Sequence, residues 1–138
     1  MRVQGFHHLA IQVNDLERAA AFYRGVLGLE EKARHHREDG ALRSIWLRVP
    51  DGGFLALEAC AGPLPRDGFY RDTPGFHLLA LGIDAADRPA IERELERLGI
   101  PIVHRTRWTL YIRDPEGNQI GLSHHPVDPP NDSPGPAS

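Results

Sequence analysis

From residue 6 to residue 13 polar and apolar side chains alternate, the period of a half-buried strand. Leu16, Ala20, Tyr23 and Leu27 then recur at helical spacing. Asn14, with Glu17 three residues on, resembles a capping box that opens this helix, and Gly28 suits the left-handed stop after it. Strand-like patterns return over 29–38 and 41–49, joined at Asp39-Gly40, a favoured hairpin turn. Pro50 to Gly53 turns the chain again, and 54–60 reads as a fourth strand. The predicted order is β-α-β-β-β.

The pattern then starts over. Residues 5 to 13 (GFHHLAIQV) and 75 to 83 (GFHLLALGI) match at an offset of seventy, with Gly5, Phe6, His7, Leu9 and Ala10 identical to Gly75, Phe76, His77, Leu79 and Ala80. Such self-similarity predicts two copies of one supersecondary unit. In the second copy a strand over 75–83 is followed by a helix that begins near Pro89, buries Ile91, Leu95 and Leu98, and stops at Gly99. Strands are predicted over 101–106, 108–113 and 119–124, with Asp114 to Asn118 as the last turn. The Pro- and Gly-rich stretch 61–74 reads as a linker between copies within one domain, residues 1–125. The tail, 126–138, is too poor in apolar residues to pack and is expected to be disordered.

Composition adds exclusions. The chain has 138 residues, 41% hydrophobic and 25% charged, enough for one well-filled core. A formal net charge of -3 with interleaved signs argues against nucleic acid, whose phosphates need a clustered positive surface. No apolar run is long enough to span a bilayer, and the N-terminus lacks the features of a signal peptide. Cys60 is the only cysteine, so no intrachain disulfide forms, and it reads as a small packed thiol rather than a nucleophile. A cytoplasmic protein is the expectation.

The segment HHLAIQVNDLERAAAFYRGVLGL resembles the opening of vicinal oxygen chelate proteins, the glyoxalase, bleomycin-resistance and dioxygenase-like group. TLYIRDPEGNQIGL resembles their closing hairpin, and the likeness spans residues 5 to 125. It implies an α+β fold of two βαβββ modules in tandem, a curved mixed sheet around a trough, and a homodimer. In such a fold strand alternation sorts the side chains. Leu9, Ile11 and Val13, Ile45, Leu47 and Val49, Leu55, Leu57 and Ala59, and Leu110 and Ile112 should pack inward. His8, Gln12, Trp46, Arg48, Phe54, Glu58, Tyr111 and Arg113 should face the trough, a mixture of flat rings and ionisable groups suited to a small polar or anionic molecule. The alternative for each polar residue is an ordinary solvated sheet face.

Catalytic members of the resembled family commonly hold a divalent ion through His, Gln or Glu on the first and last strand of each copy. The resemblance therefore assigns His8 and Glu58 as metal ligands, for Zn, Ni, Mn or Fe, and as catalytic residues. The second copy departs from that pattern. Leu78 aligns with His8, while His77 lies one residue off and should point toward the helix. With 120–122 aligned to 57–59, Gly121 stands where relatives often have glutamate. Two expected ligands are thus replaced, unless His77 or His125 substitutes. His35, His36 and His104 are read as surface histidines, and the adjacent His124-His125 as a fraying strand end, with a metal clamp as the alternative. Two functions follow: a metal-dependent lyase, isomerase or dioxygenase using His8 and Glu58 with Gln12, Trp46, Arg48, Tyr111 and Arg113 around the substrate, or a metal-free, antibiotic-sequestering type of binding protein.

Overall fold

The computed structural model describes residues 1–2, 4–50, 52–62 and 76–130. The linker expected at 61–74 lies almost wholly outside the described residues. Two compact units divide the chain, Met1–Leu64 and Pro65–Ser138, and each is described by itself.

In the first unit β1 (His8–Val13) leads into α1 (Leu16–Gly25), followed by β2 (Glu30–His36), β3 (Leu42–Arg48) and β4 (Phe54–Ala59). The N-cap is Asp15 rather than the expected Asn14: its Oδ1 accepts from Arg18 N at 3.1 Å, leaving the Asn14 amide to donate to Gly62 O at 3.0 Å. The helix end is closed by Leu29 N donating to Tyr23 O at 3.0 Å, with Gly28 at φ 72° as a left-handed stop. The strands lie in the order β1-β4-β3-β2, with β1 parallel to β4 and the others antiparallel. The short hairpins can join only antiparallel neighbours, so α1 carries the parallel crossover. Leu16, Ala19, Ala20, Phe22 and Tyr23 bury one helix stripe, and α1 packs on β3 and β4. Ile45, Leu47, Leu55 and Leu57, each at most 1% exposed, form the core of this unit with Tyr23.

The second unit repeats the plan. β5 (Leu79–Gly82), a 3-10 turn at Ala85–Asp87 and α2 (Arg88–Arg97) precede β6 (His104–Arg105), β7 (Thr109–Arg113) and β8 (Gln119–Ser123), in the order β5-β8-β7-β6. Pro89 sits in the first turn of α2, where its missing N–H costs nothing. Leu95, Leu110, Ile112, Ile120 and Leu122 are buried, whereas Leu98 is 40% exposed and lies outside the expected helix stripe. Asp114 builds the last turn, its Oδ1 accepting from Glu116 N at 2.9 Å and Asn118 N at 2.8 Å. The first residues of the expected disordered tail are tied back. Val127 N donates to His124 O at 2.9 Å, and Asp128 pairs with Arg107 at 2.7 Å.

The two units share one register. Leu9 pairs with Leu55 as Leu79 pairs with Ile120, and Trp46 pairs with Ala56 as Tyr111 pairs with Gly121. Residues 55–57, not 57–59, therefore correspond to 120–122. The sequence alignment of Glu58 with Gly121 is two residues out, and Ala56 is the true counterpart of Gly121. The parallel β1–β4 ladder fixes this, because a shift of two preserves the buried face and is invisible to alternation alone.

Candidate functional site

The face of the first sheet opposite its core is set out by the pairing in three cross-strand rows. His8, Phe54, Arg48 and Glu30 form one, Ala10, Ala56, Trp46 and Ala33 the next, and Gln12, Glu58, Ser44 and His35 the third. Directly opposed side chains are about 4.5–5.5 Å apart at Cβ, so each row is a line of neighbours. The rings lean together. His8 and Phe54 stack at 4.8 Å and 9°, Phe54 and Trp46 at 4.4 Å and 27°, and His35 tilts on Trp46 at 4.4 Å. One ring from every strand thus joins an aromatic band across the sheet. Lys32 is the extra residue of a bulge between Glu31 and Ala33, and its Nζ sits 4.5 Å from the Phe54 ring centroid. Alternation does not show such a residue, so Lys32 is not legible in the sequence as a member of this face.

Exposure is uneven along the rows. His8, Ala10, Gln12, Arg48 and Glu58 are exposed, Trp46 and His35 half-buried, and Phe54, Ala56 and Ser44 buried. Ring packing covers Phe54, which alternation places on an accessible face. His35 Nε2 is buried without a hydrogen-bond partner, an atom whose desolvation is uncompensated within the described residues. His7 and His8 meet through their Nδ1 atoms at 2.8 Å. His8 and Glu58, paired with Phe54 and Gln12 respectively, stand four residues apart along adjoining strands, roughly 13 Å at 3.2–3.4 Å per residue. The fold does not bring these two expected ligands together.

The second sheet carries the counterparts Leu78, Gln119, Arg113, Gly121, Tyr111, Ser123 and Thr109. Here the groups engage one another. Thr109 Oγ1 donates to Ser123 Oγ at 2.9 Å, the Gln119 amide donates to His77 O at 2.7 Å and lies 3.1 Å from His77 Nδ1, and Arg113 donates to Gly117 O. His77 does not turn to the helix side as expected. It precedes β5, so strand alternation does not govern it, and it is exposed beside Gln119. Leu78 lies over Gly121, where an added Cβ would come within 3.3 Å of Leu78 Cδ1 and of Thr109 Cγ2. Tyr111 and Thr109, at 8% and 7% exposure, are covered, although the pattern places them on an open face.

His124 and His125 serve packing. Arg88 Nη1 donates to His124 Nε2 at 3.1 Å, so Nδ1 carries the proton given to Val127 O at 2.5 Å. His125 sets its ring edge-on to Trp108 at 4.9 Å.

The model of the Glyoxalase/Bleomycin resistance protein/Dioxygenase superfamily matches residues 5–122, and the chain belongs to that family. Over 97 residues it is 29% identical to an ethylmalonyl-CoA/methylmalonyl-CoA epimerase of Cereibacter sphaeroides, covering 70% of this chain and 72% of the relative. A glyoxalase/dioxygenase from Nostoc punctiforme superposes with a TM-score of 0.72 at 24% identity, over 90% of this chain and 92% of that one. A fosfomycin resistance protein from Listeria monocytogenes, complexed with Mn(II) and a sulfate ion, superposes with a TM-score of 0.71 at 16% identity, over 91% and 96% of the two chains. The likeness to these two structures establishes the tandem βαβββ fold.

A metal-bound relative raises the question whether this chain's donors fit an ion. They do not fit the family's ligand pattern. Ala56, Leu78 and Gly121 offer no donor atom, Leu78 fills the space over Gly121, and Glu58 stands away from His8. Among the described residues no group of three or more His, Cys, Asp or Glu side chains is gathered, against the three protein ligands usual for a catalytic zinc.

Proposed function

We propose that this chain is a small-molecule-binding member of the superfamily that works without a resident metal, holding its ligand on the open face of the first sheet. The observation that supports the reading is the donor set: Leu78 and Gly121, which the resemblance sets at ligand positions, and Ala56, which the shared register makes the counterpart of Gly121, carry no side-chain donor atom. His8, Gln12, Trp46, Arg48 and Glu58 supply the ligand contacts, the rings offering flat apolar area and the polar groups orientation. Tyr111 and Arg113, tied into the second unit, serve its framework. A cytoplasmic homodimer, as the resemblance implies, is the assembly we propose.

Metal analysis tests this directly. Protein purified without added metal or chelator, and again after incubation with Zn, Ni, Mn or Fe(II), should carry far less than one ion per chain, with no difference between wild type and His8→Ala. Near-stoichiometric metal that disappears in His8→Ala would overturn the proposal in favour of metal-dependent lyase, isomerase or dioxygenase chemistry.

A further inference from the structure

We infer that the open face of the first sheet takes a small cationic ligand, an ammonium or amidinium carried on a flat or apolar frame, with Glu58 as its counter-charge. The inference rests on the metal-free reading above, since a resident ion would itself supply the positive charge that Glu58 lacks. A cation takes the place of the anionic ligand that the sequence leaves open.

Of the other charges of this face, Arg48 and Glu30 are opposite in sign and share the first row, where among the described residues no ion pair joins them. The Lys32 ammonium rests on the Phe54 ring, and Phe54 is four residues along β4 from Glu58, about 13 Å away. Elsewhere in this unit Glu17 and Glu31 bind Arg34, while Asp15 and Asp39 accept from backbone N–H groups. Glu58 is exposed and, among the described residues, has neither an ion pair nor a hydrogen bond.

Its row points the same way. Gln12, Ser44 and His35 flank Glu58 in register, and each presents an atom able to accept a hydrogen bond. His35 Nε2 is the buried atom left without a partner. A ligand rich in N–H donors satisfies such a row. Gln12, Ser44 and His35 can donate as well as accept, so it is the negative charge of Glu58 that disfavours a carboxylate or phosphate there. The adjoining aromatic band favours a cation further, because ring faces attract positive charge.

Benzamidinium and benzoate share one ring and differ in charge, so the pair isolates the sign. Each is titrated into the full chain while the Trp46 indole and Glu58 amide signals are followed by NMR, in wild type, Glu58→Gln and Glu38→Gln, the last in an exposed turn off this face. Benzamidinium should shift both signals saturably and lose about tenfold or more in affinity in Glu58→Gln, with Glu38→Gln unchanged and benzoate weaker in wild type. Benzoate binding as tightly as benzamidinium, or unchanged benzamidinium affinity in Glu58→Gln, would overturn the cationic assignment while leaving the metal-free binding reading intact. No shift with either probe would overturn the inference as well. Should Glu58→Gln not fold, the contrast between probes in wild type decides. Failure of the underlying reading shows separately, as bound metal.

Discussion

Where the first unit has Ser44 opposite Glu58, the second has Thr109 opposite Ser123. The second pair shares a hydrogen bond, and no bond joins the first. The same contrast runs along both sheets. Gln119 is tied to His77 where Phe54 carries a lysine on its ring, and Arg113 is tied to a turn carbonyl where Arg48 is exposed. Two copies of one backbone plan with one register thus present differently bonded polar faces. Polar groups that satisfy each other stabilise their own unit, and polar groups left facing solvent remain available to a ligand. Under the function proposed above, binding belongs to the first unit and the second serves as its framework.

Breaking that framework should have the largest effect. Among described residues the buried polar or charged side chains of the first unit reduce to Ser44, whereas the second buries Arg88, Thr106, Thr109, Asp114, Glu116, Gln119 and His124. Arg88 is the hub. It donates to Thr106 O at 3.0 Å, Arg107 O at 2.9 Å, Glu92 at 3.0 Å and His124 Nε2. Arg88→Met keeps the stem and strands those acceptors, of which the bonds to Thr106 O and His124 Nε2 are buried, at an expected cost of about 2–4 kcal/mol. Ser44→Ala should cost under about 1 kcal/mol, since no bond is lost. Urea unfolding of both variants checks this, and equal costs would remove the contrast between the units.

A smaller change probes the same faces at equivalent positions. Gly121→Ala places a Cβ at 3.3 Å from both Leu78 and Thr109, and overpacking of this kind costs about 1–2 kcal/mol. If Leu78 is what closes the second face, Leu78→Ala should relieve most of that cost in the double variant. A cycle showing simple additivity would mean that the two residues do not press on one another.

Much of the fold behind this contrast is legible in the amino-acid sequence. The repeat at an offset of seventy and the change from period two to helical period set out the element order and the core face of each strand. The expected faces hold at Leu55 and Leu57 and at Leu110 and Ile112. The site is less legible, for physical reasons. Alternation sorts residues by face but is blind to a shift of two, so Glu58, with the chemistry of a ligand, takes the position that belongs to Ala56. Loop length carries the signal that resolves it: both last hairpins leave five residues between strands, 49–53 and 114–118. The bulge that turns Lys32 onto Phe54 and the ring packing that covers Phe54 arise only from contacts between strands. Nor does a pattern show which polar groups meet one another, and that is the feature by which the two faces differ.

The smallest effect concerns how the first unit ties its helix to its sheet edge. Arg34 on β2 donates to Glu17 on α1 at 2.5 Å and to Glu31 at 3.0 Å. These hydrogen bonds, above all, hold both carboxyls below the ordinary carboxylate range and raise Arg34 further. A carboxyl with a depressed folded-state pKa contributes stability that is full above its unfolded value and is lost as pH falls through the folded one. The side chains of Arg34 and Glu17 are 31% and 62% exposed, so solvent screening limits the contribution to about 0.5–1 kcal/mol. Arg34→Met should therefore lower stability by that amount at pH 7 and by less at pH 3, where the wild type has begun to lose it. Thermal unfolding of both proteins between these pH values measures the difference. A deficit in Arg34→Met that stayed constant with pH would show that the arginine acts through the packing of its stem, and the two carboxylates would then have no part in holding α1.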